Sequence, residues 1–160
     1  MKRNHLLFII YIVLTLGLMW LIFSLSADNG NESSALSDMV KLWITKILNY
    51  VFPNSFVSFI TDKIRKIAHF SAYMCLGITS SLALWEGHKL FTAKKNIPIF
   101  RYGISLFACI IYAISDEIHQ LYVPGRHGSP IDVLIDTIGA LTGCAIICLI
   151  TLWTQKKVNT

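Results

Sequence analysis

Charged residues are scarce in this chain. Asp, Glu, Lys and Arg make up 14% of its 160 residues, against about 25% in an average soluble domain. Hydrophobic residues reach 54%, and the mean hydropathy is +0.59. A soluble globule of this length has too small a core to hide that much apolar surface. Low-complexity tracts and internal repeats are missing, and the composition excludes a disordered chain and a coiled coil. Cysteine is scarce too. Cys75, Cys109, Cys144 and Cys148 all lie inside apolar stretches, which argues against a disulfide framework and against a zinc site. Acidic residues are outnumbered, 9 against 14 basic ones, for a net charge of +5. In so hydrophobic a chain this balance points to cytoplasmic membrane loops and away from nucleic acid. No H-E-x-x-H, P-loop or Gly-x-Ser-x-Gly pattern occurs.

Long apolar runs are what the chain does have. Four of them, residues 6–25, 67–85, 102–123 and 131–153, are each long enough for a spanning helix, which needs about 20 mostly apolar residues. The expected fold is all-α: a polytopic membrane protein built as a four-transmembrane-helix bundle, one domain over residues 1–160. The first run follows Lys2 and Arg3 as a signal peptide would. It exceeds the roughly 7–15 residues of a signal core, and no small-x-small cleavage site closes it, so it reads as a retained helix. Basic residues lie before the first run (Lys2, Arg3), between the second and third (Lys89, Lys94, Lys95, Arg101) and after the last (Lys156, Lys157). Positive-inside counting places both termini in the cytoplasm. Tyr11, Tyr50, Tyr122, Trp43, Trp85 and Trp153 fall near the expected interfaces.

Between the first two runs, Asn29-Gly30-Asn31 marks a turn. Over about residues 35–60, Asp38, Lys41, Thr45 and Asn49 recur at helical spacing among Met39, Val40, Trp43, Ile44, Ile47 and Val51, until Pro53-Asn54 breaks the pattern. This reads as an outer amphipathic segment on the membrane surface. A small hydrophobic cap packed on the bundle has the same pattern.

Polar residues gather at one end of the bundle. The second run begins with Arg65, Lys66 and His69; the third ends with Asp116, Glu117, His119 and Gln120; the fourth begins with Asp132 and Asp136. Pro124, Gly125, Arg126 and His127 lie between the last two. A start, an end and a start in alternating helices share one side. Arg65, His69 and Tyr73 repeat at i, i+4 and share a face. Asp132, Asp136, Gly139 and Gly143 form a stripe, and Gly139-x-x-x-Gly143 admits close helix approach, so both aspartates turn toward protein. Ionisable groups within a span face the bundle or a water cavity. Two uses fit: a structural latch of ion pairs, or a ligand site. Asp132 suits a helix N-terminus. Gln120 carries no charge, so a role in a latch is not what its presence requires. The candidate ligand-binding residues are Arg65, His69, Tyr73, Asp116, Glu117, Gln120, Arg126, Asp132 and Asp136.

Three segments together resemble the signatures of the VanZ-like membrane proteins: Arg65-Lys66-Ile67-Ala68-His69-Phe70-Ser71-Ala72-Tyr73-Met74-Cys75-Leu76-Gly77, then Asp116-Glu117-Ile118-His119-Gln120-Leu121-Tyr122-Val123-Pro124-Gly125-Arg126, then Asp132-Val133-Leu134-Ile135-Asp136-Thr137-Ile138-Gly139-Ala140. Ser24-Leu25-Ser26 is a looser match to the Ser-rich stretch that such proteins carry after the first span, and they often have Asn where this chain has Asp136. The family takes its name from a protein conferring teicoplanin resistance in Gram-positive bacteria. The resemblance implies a plasma-membrane protein acting at the outer leaflet, in cell-envelope modulation or lipoglycopeptide antibiotic resistance. Its implied partners are membrane lipids and a lipid-linked wall precursor or a lipoglycopeptide.

Three functions compete. In a binding protein, Arg65 and Arg126 clamp a phosphate or carboxylate while Asp116, Glu117 and Gln120 orient the ligand's donors. This reading carries no cofactor and no metal. In an intramembrane enzyme acting on a lipid-linked substrate, His69, Glu117, His119 and Asp136 are the acid–base groups or metal ligands. A transporter ranks last, because four spans without a repeat, with the charges at one surface, do not match that architecture.

Overall fold

The computed structural model describes residues 2–28, 30–92 and 99–159. Among these residues six helices follow one another: α1 (Lys2–Ala27), α2 (Gly30–Leu48), α3 (Asn54–Asp62), α4 (Ile64–Thr92), α5 (Phe100–Gln120) and α6 (Pro130–Asn159). The described residues contain no strand. Each expected apolar run lies within or along one helix, and α1, α4 and α6 extend beyond their runs at both ends. Asn29 and the basic residues Lys94 and Lys95 lie outside the described residues, while Gly30 opens α2.

Local chemistry sets the boundaries. Pro53 sits at the N-cap of α3 in extended geometry, the conformation proline favours before a helix. Pro130 opens α6 at a position where its missing N–H costs nothing. Asp132 follows in the first turn, near the positive end of the helix dipole. α5 unwinds through turns at Leu121 to Val123. Gly125 then adopts φ 76°, a left-handed conformation that a side chain resists.

Among the described residues, three helices are long and apolar enough to cross a membrane: α1, α4 and α6. α5 has comparable length, but Asp116, Glu117, His119 and Gln120 crowd its last turns. It packs with the other three all the same. α4 lies along α6 and α1, and α5 contacts α6, α4 and α1. The shared core is Ile22, Tyr73, Leu76, Cys109, Ala113 and Ala140. The α4–α6 seam depends on glycine. A Cβ at Gly139 would run into the Phe70 carbonyl, one at Gly143 into the Met74 carbonyl, and one at Gly77 into Ala140. The glycine stripe therefore faces protein, as its spacing predicts, and α4 answers it with a small residue of its own.

Outside this core the bundle is coated in exposed apolar side chains, among them Leu6, Val13, Trp20, Phe107, Ile131, Leu149 and Trp153. Met39, Leu42, Trp43 and Ile47 are exposed along α2. Val40 of α2 reaches the pocket described next.

Candidate functional site

The polar residues of four helices converge at the end of the bundle where α1 ends, α4 begins, α5 ends and α6 begins. Asp136 is 0% exposed, Asp116 2%, Glu117 5% and Gln120 1%. His69 Nδ1 stands 3.4 Å from Asp136 Oδ1. Helix geometry makes the convergence possible: Asp116, Glu117 and Gln120 share the inward arc of α5, and the glycine stripe brings α6 close enough for Asp136 to reach α4.

A set of hydrogen bonds fixes two of the carboxylates. Ser26 Oγ donates to Asp116 Oδ2 at 3.0 Å, and Gln120 Nε2 donates to the same oxygen at 3.2 Å. Gln120 Nε2 also donates to Glu117 Oε1 at 3.3 Å, and the Ser129 N–H donates to Glu117 Oε2 at 2.7 Å. Gly128 enables the last contact, since a Cβ there would press on the Glu117 carbonyl oxygen and Leu121. Three carboxylate oxygens are left over. Asp116 Oδ1 and both oxygens of Asp136 are buried with no hydrogen-bond partner, as is the Tyr73 hydroxyl.

Beside this cluster lies a pocket of about 190 Å³ lined by α1, α2, α4 and Arg126. Ile22, Leu25, Val40, Ile64, Ala68 and Ala72 make its walls apolar. Ser26, Asp28, Arg65, His69, Tyr73 and Arg126 add polar groups. His69, Tyr73 and Ser26 belong to the pocket wall and also adjoin the buried carboxylates.

The sequence-predicted residues divide accordingly. Arg65, His69, Tyr73 and Arg126 line the pocket. Asp116, Glu117, Gln120 and Asp136 form the buried cluster next to it. His69, Asp116, Glu117 and Asp136 each bring one donor atom within 4.8 Å of the other three, an acidic cluster that does not include Asp132, at the start of α6. His119 stacks on Phe23, 4.5 Å between ring centroids, and His127 is exposed.

Among the described residues, the ion pair that joins α4 to α6 is His69 with Asp136, and the two pocket arginines lie outside it. Arg126 Nε donates to the Asp28 carbonyl at 2.9 Å, and its Nη2 to the Leu25 carbonyl. It closes the carbonyl end of α1, where the helix has no N–H of its own to offer. Burial first, and then the nearby Arg65, lower the pKa of the Arg126 guanidinium from its usual value. Arg65 is itself exposed. Among the described residues, neither arginine forms an ion pair with Asp116, Glu117 or Asp136.

A family model described as VanZ/LLP1 matches residues 8–151, nearly the whole chain. The chain belongs to the VanZ/LLP1 family. No curated protein and no solved structure matches it. The matched stretch of this VanZ/LLP1 protein includes Ser26, the pocket and all four groups of the acidic cluster.

Sequence reasoning passed over several buried polar groups. Ser26 stood out only as part of a loose Ser-Leu-Ser match. At the opposite end of the bundle, Glu86 is buried and bound by Lys89 Nζ at 2.7 Å, and that ammonium lies 4.1 Å from the centre of the Trp85 ring. Nearby, Tyr102 shares a 2.6 Å hydrogen bond with Thr151. A glutamate inside the extension of an apolar run was the available signal.

Proposed function

We propose that this VanZ/LLP1 protein is a plasma-membrane protein whose polar pocket, at the outer leaflet, receives the anionic headgroup of an amphiphile: a lipid-linked envelope precursor or a lipoglycopeptide. Four spans, α1, α4, α5 and α6, cross the membrane in this reading. Both termini are cytoplasmic, and α2 and α3 lie on the outer surface. The observation that carries it is the pocket itself, with walls of Ile22, Leu25, Val40 and Ile64 beside Arg65 and Arg126. Apolar walls suit an acyl or isoprenoid chain, and the exposed Arg65 guanidinium, with the positive charge of the carbonyl-bound Arg126 beside it, suits a phosphate or carboxylate. Family membership supports a role in the cell envelope, with altered glycopeptide susceptibility as its outward sign.

A second reading, an intramembrane enzyme acting on a lipid-linked envelope substrate, has one observation in its favour. His69 belongs to the pocket wall and to the acidic cluster at once, so a bound headgroup would meet an imidazole backed by carboxylates.

Bound lipid is the test. Protein purified in mild detergent is extracted and its lipids are identified by mass spectrometry. Wild-type protein should retain an anionic amphiphile, and Arg65→Ala should retain several-fold less. Lys66→Ala, exposed and outside the pocket lining, should match wild type. Equal recovery from Arg65→Ala and wild type would remove the headgroup reading.

A further inference from the structure

We propose that His69, Asp116, Glu117 and Asp136 hold one divalent cation beside the pocket. One donor atom from each of the four lies within 4.8 Å of the other three. Ligands of one ion, each about 2.0–2.4 Å from it, cannot stand farther apart than about 4.0–4.8 Å. The four donors thus stand at the outer limit of one coordination shell, and small side-chain rotations bring them onto one ion.

Charge leads to the same place. Three carboxylates of 5% exposure or less face a single imidazole. Ionised carboxylates in such surroundings need a counter-charge or they take up protons. Neither pocket arginine serves: Arg126 directs its Nε and Nη2 to backbone carbonyls of α1, and Arg65 is exposed. A divalent cation cancels two of the three charges.

The unpartnered oxygens are an independent sign. Buried polar atoms are nearly always hydrogen-bonded, yet Asp116 Oδ1 and Asp136 Oδ2 have no partner, and Asp136 Oδ1 has only the His69 ring, 3.4 Å away and outside hydrogen-bond geometry. Asp136 is fully buried. The remaining carboxylate oxygens are held as metal ligands commonly are, by an outer layer of donors. Ser26 and Gln120 hold Asp116, and Gln120 and the Ser129 N–H hold Glu117. Three oxygen donors and one imidazole suit Mn²⁺ or Zn²⁺ better than Ca²⁺, which takes six to eight oxygens. The site departs from the metal-free binding protein that the sequence led us to expect.

What the ion does there rests on the headgroup reading. Because His69 also lines the pocket, a cation on its ring would attract the same phosphate or carboxylate that Arg65 attracts. Whether an ion is present is measured separately. Protein purified without chelator is assayed for metals by plasma mass spectrometry. It is then stripped with EDTA, dialysed and titrated with MnCl₂ while free Mn²⁺ is followed by electron paramagnetic resonance and the thermal midpoint is recorded. The expected result is about one ion per chain and a midpoint that rises with Mn²⁺ and falls again with EDTA. Asp136→Ala and His69→Ala should weaken Mn²⁺ binding at least about tenfold. Glu86→Gln, at the far end of α4, should leave it unchanged. Where Asp136→Ala does not fold, Ser26→Ala replaces it, removing only the hydroxyl that holds Asp116 and lowering Mn²⁺ affinity several-fold. Wild-type protein with no ion above buffer background, and a midpoint indifferent to millimolar Mn²⁺, overturns the proposal. Lipid recovered from stripped and loaded protein keeps the two readings apart. Lipid retained by a protein that binds no ion refutes the cation and leaves the headgroup reading standing. Ion bound with no lipid supports the cation and removes the headgroup reading.

Discussion

Gln120 shows how one uncharged side chain can hold several charged ones in place. It is buried, and its amide nitrogen lies within hydrogen-bond distance of Asp116, Glu117 and Ser26. Gln120→Leu keeps the volume but strips those donors from buried carboxylates. The expected loss is about 1–3 kcal/mol of stability, read as a lower thermal midpoint in detergent. An unchanged midpoint would mean that water reaches these carboxylates. Gly125→Ala should cost about 1–2 kcal/mol, because φ 76° brings a Cβ against its own carbonyl. That change moves the turn carrying Arg126, so lipid retention should fall together with stability. At this scale the sequence was readable where a residue type is costly in its place. Asp116, Glu117 and Asp136 are ionisable residues in apolar runs, and such residues turn inward. Ser26 was less readable because serine is tolerated almost anywhere in a spanning helix. Its value comes from Asp116, 90 residues away, a pairing that no local pattern carries.

The helices themselves were legible for the same reason that they exist. Long apolar runs have few ways to satisfy their backbone; Pro53, where the amphipathic pattern breaks, caps the start of α3, and Pro130, just before the fourth run, opens α6. The glycine spacing on α6 was readable because four residues return a helix to nearly the same face. Its partner was not, since nothing in the sequence says that Gly139 meets Phe70 and Gly143 meets Met74. Substitution makes the seam measurable. Gly139→Leu and Gly143→Leu should sharply reduce folded protein, because the obstacles are backbone carbonyls that cannot rotate away. Gly103→Leu and Gly17→Leu should be tolerated, since a Cβ at either meets nothing within 4 Å. Fluorescence-detected size-exclusion chromatography of the four variants reads the difference. Comparable profiles for Gly143→Leu and Gly103→Leu would show that α4 and α6 separate without penalty.

Taken whole, the molecule buries a polar cluster at one end of its core and coats its outside with apolar side chains, the inverse of a soluble protein's surface. Its orientation in the membrane can be tested from exposed positions. In a variant whose four cysteines are replaced, Tyr50→Cys should react with an impermeant maleimide on intact cells, and Phe91→Cys should react only after lysis; both side chains are exposed, at 87% and 80%. The reverse pattern would turn the protein over and place the pocket at the inner leaflet. The parentage of the acidic cluster also bears on how the chain is made. A ribosome releases α1 first and α6 last, so the Ser26 hydroxyl exists long before the Asp116 that it will meet. Asp116 and Glu117 in turn are synthesised before Asp136 and the glycines that draw α6 against α4. Until the last helix arrives, two carboxylates of α5 wait without the wall that encloses them. A nascent chain stalled before residue 130 would therefore present an open, acidic groove, and the quality-control machinery of the cell would meet it at that stage.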